Sequence, residues 1–393
     1  MSRYMMISTD GHAGLPPERY REYLDPKYHA AFDEALPKQI KATQVAESKF
    51  MVKEYNDKWR AGIEKELTGA WDGKQRNAVL DKDGVVAEVL FPDGITEMNA
   101  PPFGAGLSLK TWGVNEELQW AGAHAHNVWM AEFCKECPER RIGLAIVPIC
   151  FDIEKAVAEI HWAAKEGLKG ILIPAIWGDY AAYNAERYYP IWRACSDLNM
   201  VVHTHSGPIC DMDFDAPGAM GVFLMEFHWW ASRPLWTMIM GGVFEHFPKL
   251  KFCLTEVGEF WIPMMIHTMD MRASVKHTSG KLGDFRTHLK MKPSEYFKRN
   301  CRIGASAMMD KESVDARYDI GIENLMWGTD YPHPEGTWPK THAQMTECFK
   351  GVPEKELDKI LGENAIEFYG LDPKVCRQIA DRIGPDKKMF SLH

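Results

Sequence analysis

Val201-Val202-His203-Thr204-His205-Ser206-Gly207 is a β-branched run that breaks into two histidines, a serine and a glycine. Residues two apart on a strand point to the same side, so His203 and His205 share a face where a short buried strand ends. Comparable apolar runs lie at Met5–Thr9, Val85–Phe91, Ile142–Ile149, Gly170–Pro174, Met200–Thr204, Lys251–Thr255, Cys301–Gly304 and Asn324–Gly328. Between them, segments such as Lys110–Glu136, Ile153–Glu166, Ala185–Leu198, Phe260–Ala273, Asp310–Tyr318 and Thr341–Phe349 place apolar residues near the helical period. The alternation signals repeated βα units and a parallel sheet. Eight strands with crossovers of this length predict an α/β fold closed as a (β/α)8 TIM barrel.

The chain of 393 residues suits one such barrel with insertions, and residues 1–393 read as a single domain. The interval from about 13 to 84 is too long for one crossover and predicts a helical insertion after the first strand. A helical tail is expected at the C-terminal end. Gly94–Leu109, with Pro101-Pro102-Phe103-Gly104-Ala105-Gly106, reads as a long loop of the kind that walls a binding site.

Hydrophobic residues at 46% and charged residues at 26% supply a core and argue against extended disorder. A formal charge of -9 gives no broad attraction to phosphate backbones or anionic lipid, so nucleic acid and membrane partners are not expected. No stretch approaches the roughly 20 apolar residues that cross a bilayer, and the start of the chain lacks a secretory pattern, which predicts a cytoplasmic protein. The nine cysteines are scattered, and the C-x-x-C at Cys134 and Cys137 has no second pair to complete a zinc site.

Chemistry-bearing side chains recur where strands end. Asp10 and His12 stand two apart in Thr9-Asp10-Gly11-His12, a spacing that lets a carboxylate and an imidazole face one ion. Asp330 ends the eighth run in Trp327-Gly328-Thr329-Asp330-Tyr331-Pro332-His333, and Glu256 ends the sixth in Leu254-Thr255-Glu256. Each alone also fits a turn, a cap or a hydrogen-bonded core residue. Their joint placement matters more, because the carboxyl ends of barrel strands form one rim. His203 reads as the structural member of the fifth-strand pair. His124 and His126 lie in a helical segment on nearly opposite faces and are not a ligand pair. Phe227-His228-Trp229-Trp230, with Arg233 and Trp236, suits either packing or a pocket for an aromatic group. No P-loop, G-x-S-x-G elbow or H-E-x-x-H is present.

Taken in order, Thr9-Asp10-Gly11-His12-Ala13, His205-Ser206-Gly207, Gly241-Gly242-Val243-Phe244-Glu245-His246-Phe247-Pro248, Thr255-Glu256, Trp327 to His333 and Leu361-Gly362-Glu363-Asn364-Ala365 cover nearly the whole chain. In these pieces the sequence resembles the amidohydrolase-related family that includes aminocarboxymuconate semialdehyde decarboxylase. The resemblance implies a (β/α)8 barrel and a divalent metal held by Asp10, His12, His205 and Asp330. Two departures stand out: Asp10 replaces the first histidine of the usual His-x-His, and Glu256 replaces a common sixth-strand histidine. The added carboxylates favour a harder ion such as Mn²⁺ or Fe²⁺ over zinc, or two ions in place of one, with Glu256 as a further ligand or as a group that orients one.

The resemblance leaves three functional readings. The favoured one is hydrolysis of an ester, thioester, lactone or amide carbonyl: a metal-activated water gives its proton to Asp330, and His333 or His228 assists the leaving group. The runner-up is non-oxidative decarboxylation of an aromatic or unsaturated acid. The third is a non-catalytic barrel used for binding. The expected partner is a small molecule with an apolar or aromatic part, and a homo-oligomer is left open.

Overall fold

The computed structural model describes residues 3–93, 99–106, 115–207, 212–274, 286, 288–305 and 310–390. Eight strands, β1 (Met6–His12), β2 (Val85–Phe91), β3 (Arg141–Ile146), β4 (Gly170–Leu172), β5 (Val201–His205), β6 (Lys251–Thr255), β7 (Cys301–Ala305) and β8 (Leu325–Trp327), lie side by side in chain order. Every adjacent pair is parallel. Past β8 the barrel closes through a parallel bridge between Gly11 and Tyr331, with Asp330 N–H donating to the Asp10 carbonyl at 2.8 Å and His12 N–H to the Tyr331 carbonyl at 2.8 Å. The expected (β/α)8 barrel is therefore present. β2 shows why its residues form a strand here: Val-Val-Ala-Glu-Val-Leu-Phe is buried along its whole length, as both faces of a barrel strand are covered.

The outer helices follow their local chemistry. Ile153–Glu166 starts where the Asp152 side chain accepts from Lys155 N–H and stops at Gly167, whose φ of 98° suits glycine; Ala156, Ile160 and Ala163 turn inward. Between β1 and β2 lie the helices His29–Phe50, Lys53–Arg60, Glu64–Leu67 and Gly73–Asp83, the predicted helical insertion. Of the loop expected at Gly94–Leu109, residues 94–98 and 107–109 lie outside the described residues; Pro102–Gly104 forms a 3-10 turn with Phe103 buried against Phe32. The tail contributes Asn364–Tyr369 and Pro373–Ile383, which pack Ile366, Phe368, Tyr369, Cys376 and Ala380 against the interior residues of the strands. Phe368 accepts from Lys251 at the start of β6, and Tyr4 N–H bonds the Pro385 carbonyl, so this plug closes the amino-terminal end of the barrel. Among the described residues, no helix is long and apolar enough to cross a membrane.

Buried histidines give the fold a pH sensitivity of its own. His126 is fully buried in the helix Glu116–Lys135, where its Nδ1 and the Tyr20 hydroxyl are hydrogen-bonded at 2.8 Å and burial holds its pKa down at about 3. The unfolded chain takes up that proton near pH 6.5, the folded chain only near 3. Stability from this group is thus intact above about 6.5 and is lost as pH falls, at about 1.4 kcal/mol per pH unit. Denaturant unfolding from pH 7 to 4.5 is expected to show a shallower loss in His126→Gln than in wild type; parallel curves would remove His126 from the account.

Candidate metal centre

The strand ends bring their polar side chains to one rim. Asp10 and His12 come from β1, His205 from the end of β5, and Asp330 from the turn after β8, where its φ of 58° lies in the left-handed region. His205 Nε2 stands 3.2 Å from Asp10 Oδ1, and His12 Nε2 stands 3.5 Å from the same oxygen and 3.1 Å from Asp330 Oδ1. His333 joins through Nδ1, 3.1 Å from Asp330 Oδ1, with its ring stacked on His12 at 3.9 Å between centroids. Two groups of donors converge: Asp10, His12 and His205, and His12, Asp330 and His333.

The backs of the His12 and His205 rings are fixed. His12 Nδ1 faces the Pro92 carbonyl at 3.0 Å, and His205 Nδ1 faces the Ser206 carbonyl at 3.2 Å. A carbonyl can only accept, so both Nδ1 atoms carry a hydrogen and both Nε2 atoms are turned into the cluster. There His205 Nε2 is hydrogen-bonded to Asp10 Oδ1 at 3.2 Å, while His12 Nε2, Asp10 Oδ2, both Asp330 oxygens and His333 Nε2 are buried with no hydrogen-bond partner. Buried acceptors facing one another in this way fit a shared cation, and the mixed imidazole and carboxylate set suits Mn²⁺, Fe²⁺ or Zn²⁺.

The electrostatics agree. Burial opposes charge on His12, yet the adjacent carboxylates of Asp10 and Asp330 outweigh it and lift its pKa well above the ordinary range. Burial likewise opposes charge on Asp330, but His333 and His12 hold its carboxyl below the usual range. Asp10 is lowered too, by His205 and His12 against the cost of burial. A divalent cation replaces such protons when it binds.

Glu256 lies beside this cluster, and its approach differs. Its Oε2 stands 3.5 Å from His205 Nδ1, the ring nitrogen turned away from Asp10, and accepts a short hydrogen bond from Ser206 Oγ. Its other neighbours are carboxylates: Glu256, Asp330 and Glu335 form a third converging group. Burial first, and then Asp330, Asp10 and Glu335, raise the Glu256 pKa well above the carboxylate range. His228 lies outside all three groups; its ring packs among Phe227, Trp229, Phe260 and Trp261. His203 is buried below the rim, with Nδ1 3.1 Å from the Val201 carbonyl and Nε2 accepting from the Tyr369 hydroxyl at 2.9 Å. Cys134 and Cys137 are free and buried, and burial pushes the Cys134 thiol up to about 12.

Glu335 carries no signal in its sequence neighbourhood that marks it as a site residue, and Ser206 stands out only as part of the His205-Ser206-Gly207 run. A better clue was available for Glu88, a single carboxylate inside the apolar run of β2 that needs a buried cation.

The family pattern described as Amidohydrolase matches residues 103–371, more than half of the chain. The chain belongs to the amidohydrolase family. It is thus an enzyme of the amidohydrolase superfamily. The chain is 27% identical over 318 residues to 2-amino-3-carboxymuconate-6-semialdehyde decarboxylase of Dictyostelium discoideum, covering 78% of this chain and 79% of that protein. Its fold resembles 5-carboxyvanillate decarboxylase LigW from Sphingomonas paucimobilis, with a TM-score of 0.66 and 20% identity over 93% of this chain and 99% of that one. It also resembles dihydroxybenzoic acid decarboxylase from Polaromonas sp. JS666, solved with manganese and 2-nitroresorcinol, with a TM-score of 0.63 and 18% identity over 94% and 98% of the two chains.

These findings correct the hydrolytic expectation, since the relatives named by activity are decarboxylases. The ester, thioester, lactone and amide substrates fall with it, as does the role of Asp330 as base for an activated water. The donor set gives the physical reason: a cation held by imidazoles and carboxylates can orient a substrate carboxylate as readily as it can activate a water.

Proposed function

We propose that this amidohydrolase is a divalent-metal-dependent, non-oxidative decarboxylase of a small aromatic or unsaturated carboxylic acid. The observation that carries the reading is the alignment over 78% of the chain with a named decarboxylase. Manganese in related decarboxylase structures supports Mn²⁺ as the ion.

Asp10, His12, His205 and Asp330 would hold the ion. When bound, it supplies the positive charge that gathers the oxygens of an anionic substrate in a site otherwise rich in carboxylates. The reaction then needs one proton at carbon. As the bond from carbon to carboxylate breaks, its electron pair stays on the substrate carbon, carbon dioxide leaves, and a proton takes the vacated position. Glu256 is the donor in this reading: it stands at the rim next to Asp330 and Glu335, and three carboxyl groups this close do not all ionise. The Ser206 hydroxyl holds one Glu256 oxygen in place.

The test is product analysis with Mn²⁺-loaded protein and a panel of hydroxylated aromatic and unsaturated acids. Expected are carbon dioxide and a product lacking one carboxyl group, which in D₂O carries one deuterium at the vacated carbon. Failure of every acid to release carbon dioxide would overturn the proposal.

A further inference from the structure

Behind the donor strands lies a buried ion pair that is not part of the metal centre. Arg76, from the helix Gly73–Asp83, and Glu88, from the middle of β2, expose none of their side chains. Glu88 is satisfied by two parallel contacts, from Arg76 Nε to Oε1 and from Nη2 to Oε2, the latter at 2.8 Å. The third guanidinium nitrogen does something the pair itself does not require. Nη1 donates to the carbonyl of His12 at 2.7 Å and to that of Gly69 at 3.2 Å. The guanidinium also lies 5.0 Å from the ring centroid of Tyr331, the residue after Asp330. Gly11 makes the approach possible, because a Cβ there would come within 3.1 Å of Glu88 Oε2 and 3.3 Å of Arg76 Nη2.

His12 is therefore held twice, by its ring at the Pro92 carbonyl and by its own carbonyl at Arg76. The strand ends are tied to each other as well, through the bonds from Asp330 to Asp10 and from His12 to Tyr331. One guanidinium thus touches the peptide of one metal donor and the ring that follows another. Donor positions must be fixed closely for a cation to bind, and groups that orient ligands commonly contribute about 10- to 100-fold in metal affinity.

We infer that Arg76 is a positioning residue for the metal centre, setting the backbone from which Asp10, His12 and Asp330 converge without touching the ion. The helical segment between β1 and β2 then acts as a strut for the rim. The inference rests on reading the rim cluster as a metal site.

A purely structural arginine would behave differently, and the fold supplies the control. Arg140 is also buried and also grips β2, but at its opposite end: it donates to Val86 at 3.0 Å and Val85 at 2.7 Å, and pairs with Asp81 at 2.7 Å. The experiment measures Mn²⁺ dissociation constants by titration calorimetry and melting temperatures for wild type, Arg76→Met/Glu88→Met, Arg76→Lys and Arg140→Met. The double variant leaves no unpaired charge. Lysine keeps a charge beside Glu88 but lacks the planar fork that spans Glu88 and the His12 carbonyl together. Both Arg76 variants are expected to bind Mn²⁺ about 10- to 100-fold more weakly. Arg140→Met should lose melting temperature and keep its affinity. Should the double variant fail to fold, Arg76→Lys decides. Wild-type affinity in the Arg76 variants, or an equal loss in Arg140→Met, would overturn the inference alone. A wild-type protein without affinity for Mn²⁺ would overturn the metal-site reading and the inference with it.

Discussion

His205→Ala is expected to lose its metal and, with it, nearly all turnover. The change removes an imidazole whose Nε2 faces Asp10 Oδ1 at 3.2 Å and leaves no donor in its place. Loss of a direct ligand should weaken metal affinity by more than the roughly 100-fold that loss of an orienting group can cost. The neighbouring His203 provides the contrast. It lies two residues away on the same strand, but its nitrogens are taken by Val201 and Tyr369. His203→Gln should therefore lower stability while metal content stays near wild type. Parallel metal analysis and rate measurements on the two variants check this, and a His205→Ala protein with full metal content and activity would remove His205 from the ligand set.

Asp330→Asn is expected to show the second large effect, with a different signature. Asp330 faces the metal donors through Oδ1, 3.1 Å from both His12 Nε2 and His333 Nδ1, and lies in the carboxylate group with Glu256 and Glu335. Asparagine keeps an oxygen of similar size, so metal content should fall less than in His205→Ala. It removes the charge that balances two imidazoles and that crowds Glu256 into holding a proton. Disturbing a positioned proton donor typically costs about 10²- to 10⁴-fold in rate, and carbon dioxide release should fall in that range. Turnover equal to wild type would sink the assignment.

The parts of this site that were legible in the sequence are those that end strands. Asp10, His12, His205 and Asp330 could be picked out because an apolar run followed by a carboxylate or imidazole is unusual, and barrel topology puts such ends on one rim. The separation of His124 from His126 also follows from helical geometry: His124 is half exposed and pairs with Glu159, while His126 is buried against Tyr20. What could not be read depends on contacts across the fold. Arg76 lies in an insertion without a motif, and only the packing of its helix on β1 and β2 brings it to the His12 carbonyl. Glu335 and Ser206 matter through their distance to Glu256, which no spacing encodes. The choice of hydrolysis over decarboxylation leaned on Glu256 standing in place of a sixth-strand histidine, and the relatives that are decarboxylases overturn it. Glu256, expected as a metal ligand or a group orienting one, lies against the far ring nitrogen of His205 and among carboxylates, a placement that supports the proposed proton donor.

The most direct test of the account is an anomalous diffraction experiment on crystals grown with Mn²⁺. The account predicts a peak at the rim of the barrel within roughly 2.0–2.3 Å of a carboxylate oxygen of Asp10 and of Asp330 and of Nε2 of both His12 and His205. Strong anomalous density elsewhere with none among these residues, at a Mn²⁺ concentration that saturates binding in solution, would contradict it.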